Sequence, residues 1–212
     1  MSDHSNVLSS LIQAHPALET CRQDILTALD ILESGYRGGG RLLVCGNGGS
    51  AADAGHITGE LMKGFRLKRP LPPEEKEKLA LLPGGADLAD KLQGALPCIS
   101  LAEHAALSTA FSNDVDPHLG FAQQVWGYGR EGDMLLCIST SGNAENVCSA
   151  AVAARARGMR VIGLTGRSGG RLKELCDAVI RVPADETYRV QEYHLPVYHA
   201  LCAMLEDAFF AV

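Results

Sequence analysis

The sequence predicts an α/β protein whose parallel sheet is covered by helices on both faces. Two observations carry this reading. Short apolar runs of strand length alternate with helical stretches, the pattern of right-handed βαβ units. Two of those runs end in Gly/Ser-rich turns that lead into helices, as ligand-binding turns do at the carboxyl ends of parallel strands. Composition agrees. The chain has 212 residues, 46% hydrophobic and 21% charged, the balance of a soluble globular protein with a sizeable core. Nineteen Lys and Arg against 25 Asp and Glu give a net charge of −6, which argues against non-specific nucleic-acid binding. No stretch approaches the ~20 apolar residues of a membrane span. The polar start, Met1 to Asn6, does not read as a secretory signal.

The elements follow in order. Residues 5–36 carry helical apolar stripes, Leu8, Leu11 and Ile12 first, then Ile25, Leu26, Leu29, Ile31 and Leu32. Pro16 should separate two helices, and Gly38 to Gly40 should stop the second. Residues 41–45 form an apolar run ending at Gly46, as a buried parallel strand does. Residues 50–64 return to helix. Strand-like runs recur at 97–101, 134–138 and 161–164, with a weaker one at 178–182; helices are expected between them, including 144–157 and 169–176. Residues 187–211 read as a long final helix, with Pro196 bending it or lying near its first turns.

Residues 71–94 break the rhythm with clustered prolines and dense charge. They read as a surface excursion with one or two short helices; a lid or a subunit contact is the alternative. The seven cysteines, Cys21, Cys45, Cys98, Cys137, Cys148, Cys176 and Cys202, include no C-x-x-C pair. They read as free thiols in a reducing cytoplasm. No internal repeat is visible.

The residues with chemistry to offer follow the strands. Asn47, Gly48, Gly49 and Ser50 come after the first, where glycines let a ligand approach the backbone and the next helix offers free amides. Ser139, Thr140, Ser141, Gly142 and Asn143 come after the third. Three hydroxyls before a helix suit a phosphate; an N-cap by Ser141 or Asn143 is the alternative. His56 and Glu60, four apart on one helix face, can share Zn²⁺ or act as an acid/base pair, or form a surface contact. Gln191 and His199 on the last helix lie eight apart, roughly 80° around it and about 12 Å along it, so a bend or a second subunit would be needed to join them at one metal. Asn113 and Asp114 form a polar pair expected in a loop.

Together and in this order, these residues resemble the sugar isomerase (SIS) domain, in its phosphoheptose isomerase branch. The resemblance runs from about residue 20 to the C-terminus. It implies a three-layer αβα sandwich with a five-stranded parallel sheet and extra N-terminal helices, residues 1–212 forming one domain in which 1–40 serve the core or oligomer and 71–94 are an insertion. It implies a homotetramer with sites between subunits, acting on a sugar phosphate. Asn47, Gly48, Gly49, Ser50, Asn113, Asp114 and Gln191 match the sugar-binding positions, and Ser139, Thr140 and Ser141 the phosphate-binding ones. His56, Glu60, Gln191 and His199 match zinc ligands, and Glu60 and His199 also match the acid/base pair.

The implied reaction converts sedoheptulose 7-phosphate to a D-glycero-D-manno-heptose 7-phosphate through an enediol, for heptose or surface-polysaccharide synthesis. Two departures stand out: Ala144 where the family commonly has serine, and the 71–94 segment. Either would fit another sugar phosphate. A non-catalytic adaptor like the DNA-replication initiator-associating protein shares the loops but lacks the acid/base set this chain keeps. A sugar-phosphate sensor would carry a DNA-binding domain, for which the first 40 residues are too few.

Overall fold

The computed structural model describes residues 4–211; the expectation for the first three residues, and both outer limits of the domain, lie outside them. Five strands build one parallel sheet: β1 (Leu42–Gly46), β2 (Cys98–Ser100), β3 (Met134–Ser139), β4 (Arg160–Thr165) and β5 (Ala178–Arg181). Their order is β2-β1-β3-β4-β5, with Leu42 opposite Met134 and Gly46 opposite Ile138 across the centre. All five residues of β1 and all six of β3 are buried, because helices cover both faces.

Alternation along each strand sorts the core into two layers. Leu42 and Val44 face one side, with α1 (His4–Ala14), α2 (Arg22–Arg37), α3 (Gly49–Met62) and α10 (Thr187–Phe210) packed on it. Leu43 and Cys45 face the other, against α7 (Gly120–Tyr128), α8 (Glu145–Ala156) and α9 (Leu172–Leu175). The three-layer αβα sandwich is therefore present. All seven cysteines are free and six are buried. Burial pushes thiols such as Cys98 up to about 12, which suits packing rather than reactivity.

The structure amends several expected boundaries. A 3-10 turn, Pro16–Cys21, separates the first two helices. The helix expected at 169–176 shrinks to four residues, because Gly169 and Gly170 hold positive φ angles of 73° and 50°, which a helix interior does not accept. Pro196 is the tenth residue of α10, well inside the helix rather than in its first turns. The excursion holds two short helices, α4 (Pro73–Ala80) and α5 (Gly85–Lys91), and α4 buries nothing. Its ends are tied by the Gly94 amide donating to the Arg69 carbonyl and the Gly64 amide donating to Gln93 Oε1, each at 2.7 Å. The remaining helix, α6 (Ala105–Asp114), also has no buried residue.

His194 on α10 is fully buried, and neither ring nitrogen has a hydrogen-bond partner. Desolvation lowers its pKa to about 4, and the Thr165 backbone gives too little polar support to offset it. A depressed histidine gives stability that is present above pH 6.5 and lost as pH falls toward 4, where the unfolded chain alone binds the proton. Denaturant unfolding at pH 7.5 and pH 5 should differ by about 2 kcal/mol from this group, and His194→Leu should remove that difference.

Candidate active site

The chain runs from β1 to β2 on one side and returns to β3 on the other. The crevice between β1 and β3 is thus the topological switch point, where open α/β sheets bind ligands. Both glycine/serine turns meet there. Asn47, Gly48, Gly49 and Ser50 from the end of β1, and Ser139, Thr140 and Ser141 from the end of β3, line one cleft of about 350 Å³ together with Ala144, Thr187 and Gln191. Backbone needs explain the glycines. Gly142 sits at φ +68°, and a Cβ there would run into the Gly169 carbonyl. A Cβ on Gly49 would overlap the Gln191 side-chain nitrogen, so glycine lets α10 reach the turn.

The capping alternative for Ser141 and Asn143 is not realised. The N-cap position of α8 is Ala144, which makes no side-chain cap. Ser141 Oγ instead accepts from the Asn143 amide at 3.1 Å, within the turn. The first turn of α8 thus begins beside three hydroxyl residues, an arrangement that suits an anion, while the Val147 amide is taken by Asn146 Oδ1 at 3.0 Å.

Asn47 and Asn146 exchange amide hydrogen bonds of 2.9 and 2.8 Å. Asn146 has no counterpart among the sequence-derived candidates. A second cleft of about 300 Å³ lies on this side, lined by Asn47, Ser108, Ser112, Phe121 and Asn146 among others. Asn113 and Asp114, expected in a loop, are the last two residues of α6, exposed and bonded to each other at 2.8 Å. Helix α6 simply runs one turn further than the Asn-Asp turn signal implied. Neither residue lines either cleft.

The acid/base candidates lie where α3 and α10 run side by side. His56 Nε2 is 3.2 Å from Glu60 Oε1, so the i,i+4 spacing places them together as expected. The His199 ring stacks edge-on to His56, centroids 4.9 Å apart. Two residues that the sequence did not single out complete the group. Tyr198 OH is 2.9 Å from His56 Nδ1 and donates to Asp53 Oδ1 at 3.3 Å. A chain of contacts therefore runs Asp53, Tyr198, His56, Glu60. Asp53 precedes His56 by three residues, the helical spacing that could have flagged it. Burial raises the Asp53 carboxyl, against the Tyr198 hydrogen bond and the nearby His56. Burial lowers the His199 imidazole and neighbouring His56 lowers it further, against the pull of Glu60. A neutral His199 can both take and give a proton.

The residues meet part of what zinc requires. The 3.2 Å between His56 Nε2 and Glu60 Oε1 matches two donors on one tetrahedral ion with bonds of about 2.0 to 2.1 Å. His199 Nε2 is buried without a partner. Yet among the described residues no three His, Cys, Asp or Glu side chains converge as they stand. Gln191 is held against Gly49, two turns of α10 before His199. The expected four-residue set thus fits in chemistry, and within one chain its arrangement stops short of a closed shell.

The fold and the paired turns at its crevice define a SIS-domain protein: the SIS domain model matches residues 8–89 and 84–166, two stretches that meet inside the excursion. The chain is 40% identical to the phosphoheptose isomerase of Rhodospirillum rubrum over 191 residues, 90% of this chain and 89% of that one. It is 35% identical to that of Aneurinibacillus thermoaerophilus over 205 residues, 97% and 89% of the two chains. The solved phosphoheptose isomerase of Francisella tularensis superposes with a TM-score of 0.75 at 34% identity, covering 95% of both chains. This chain belongs to the phosphoheptose isomerase family.

Ala144 lines the cleft without a hydroxyl to offer. Ala144→Ser should tighten inorganic phosphate binding by about 2- to 10-fold, the worth of one hydrogen bond, as read by calorimetry.

Proposed function

We propose that the chain is an aldose–ketose isomerase that converts sedoheptulose 7-phosphate to D-glycero-D-manno-heptose 7-phosphate. The observation that carries this is the gathering of Glu60 and His199 on either side of His56, with His199 Nε2 buried and unbonded, at one end of a helix pair whose other end opens on the Ser139–Ser141 cleft. Gln191 and His199 are separated by about 12 Å along α10, the scale of an extended seven-carbon sugar phosphate.

The residues divide the work. Ser139, Thr140, Ser141 and the first amides of α8 hold the phosphate, and that remote anchorage positions the reacting carbons. Asn47, Gly48, Gly49, Ser50 and Gln191 hold the sugar; Asn113 and Asp114, matched to the same role by the sequence, line neither cleft of the single chain. Glu60 takes the proton from C1 of the ketose while O2 gains one from His199, giving the cis-enediol. Glu60 then returns its proton to C2 as O1 gives one back to His199, and C1 becomes the aldehyde. Zn²⁺ held by the expected set His56, Glu60, Gln191 and His199 would support the negative charge that develops on the oxygens. The alternating protonation suits a neutral His199.

The proposal extends to a single domain working in the cytoplasm as a homotetramer with sites at subunit interfaces. What supports an assembly is α6, which buries nothing, and the exposed Leu107, Leu119 and Trp126 around it. No described helix is long and apolar enough to cross a membrane.

Purified protein incubated with sedoheptulose 7-phosphate should form the aldose by NMR. Glu60→Gln should lower kcat by about 10²- to 10⁴-fold; full turnover in that variant would remove the proposal. Metal analysis of the isolated protein should find one zinc per site, and chelation should lower kcat with recovery on adding Zn²⁺.

A further inference from the structure

We infer that Arg69 and Glu206 are positioning residues of the isomerase reaction, setting the separation of Glu60 from His199. The inference rests on the acid/base reading of those two residues. Both side chains of the pair are 0% exposed, with Arg69 Nε donating to Glu206 Oε1 at 2.8 Å. What matters is where their remaining hydrogen bonds go.

Arg69 reaches back to the end of α3. Its Nη1 donates to the Leu61 carbonyl at 2.8 Å and its Nη2 to the Glu60 carbonyl at 3.1 Å. These are carbonyls of the last helical turn, which have no partner within a helix. The guanidinium therefore grips the backbone of Glu60 itself. Glu206 gathers the connecting strap. Its carboxylate accepts from the amides of Phe65 at 2.8 Å, Arg66 at 2.7 Å and Leu67 at 3.0 Å. Phe65 in turn lays its ring against His199, centroids 5.6 Å apart. Glu206 is seven residues beyond His199, two turns along α10 and on the same side of it. One buried pair thus ties the turn carrying Glu60 to the helix carrying His199 and to the ring beside it.

Stability alone is a poor reason for this arrangement. Apolar side chains of similar volume often replace a buried ion pair without loss. They cannot, however, hold two carbonyls and three amides in fixed places. The pair lies at the far end of α3 and α10 from the phosphate cleft, so disturbing it should affect proton transfer more than substrate binding.

The test compares Glu206→Gln, Arg69→Lys and the double variant Arg69→Met/Glu206→Leu with the wild type and Glu60→Gln. Steady-state kinetics with sedoheptulose 7-phosphate, inhibition by inorganic phosphate, solvent deuterium uptake at C1 and Tm are read for each. Glu206→Gln and Arg69→Lys should lose about 10- to 100-fold in kcat, the scale of a misplacement near 1 Å. Deuterium uptake should fall by the same factor, with KM and phosphate inhibition within about 3-fold of wild type. The double variant should recover Tm and not kcat. Recovery of both together, or a loss of activity that only follows the folded fraction, overturns the inference. Should Glu206→Gln not fold, Arg69→Lys and the double variant decide the matter. Full activity in Glu60→Gln would instead sink the acid/base reading, whatever the pair does.

Discussion

The candidate site depends on one packing contact: α3 lying along α10 on the same face of the sheet. At its upper end Gly49 admits Gln191 beside the β1 turn. In the middle Asp53 and His56 meet Tyr198. Further down His56 faces His199 and Glu60, and at the bottom Arg69 and Glu206 close the pair. Each layer has its own chemistry, and all depend on the two helices keeping their register. Ala54, Ile57 and Leu61 of α3 and Val197, Leu201 and Leu205 of α10 are buried and supply the apolar area that maintains it.

The sheet provides the second constraint. Parallel order places two turns beside each other at the β1–β3 crevice, although almost 90 residues separate them in the chain. Neutral donors then line the cleft. Among the residues lining the cleft none is charged; hydroxyls, amides and a helix N-terminus are what it offers an anion.

The excursion adds surface without entering the sheet. Its two ends are pinned at Gly64, Arg69, Gln93 and Gly94, so 23 intervening residues leave the sheet undisturbed. Leu81 and Leu82 stand 85% and 61% exposed at its tip. The root of the excursion adjoins the strap that Glu206 gathers, which places its surface next to the end of the helices that carries Glu60 and His199.

Much of this was legible in the sequence, for physical reasons. Fully buried parallel strands must be apolar throughout, so 41–45 and 134–138 announced themselves. Turns that bring backbone close to a ligand need glycine and small hydroxyl residues, so Asn47–Ser50 and Ser139–Ser141 stood out. A helical repeat of 3.6 residues puts His56 beside Glu60 whatever surrounds them. The sequence could not show contacts between distant segments. Tyr198 and Asp53 are ordinary until α10 is laid on α3, and Arg69 reads as a surface charge until Glu206 is found 137 residues away. Helix geometry already set Gln191 and His199 about 12 Å apart, and the tertiary structure shows what each meets: Gln191 lies against Gly49 and His199 against His56. Local periodicity and backbone conformation are written in neighbouring residues; the partners of a buried charge are chosen by packing, which joins segments that the sequence keeps apart.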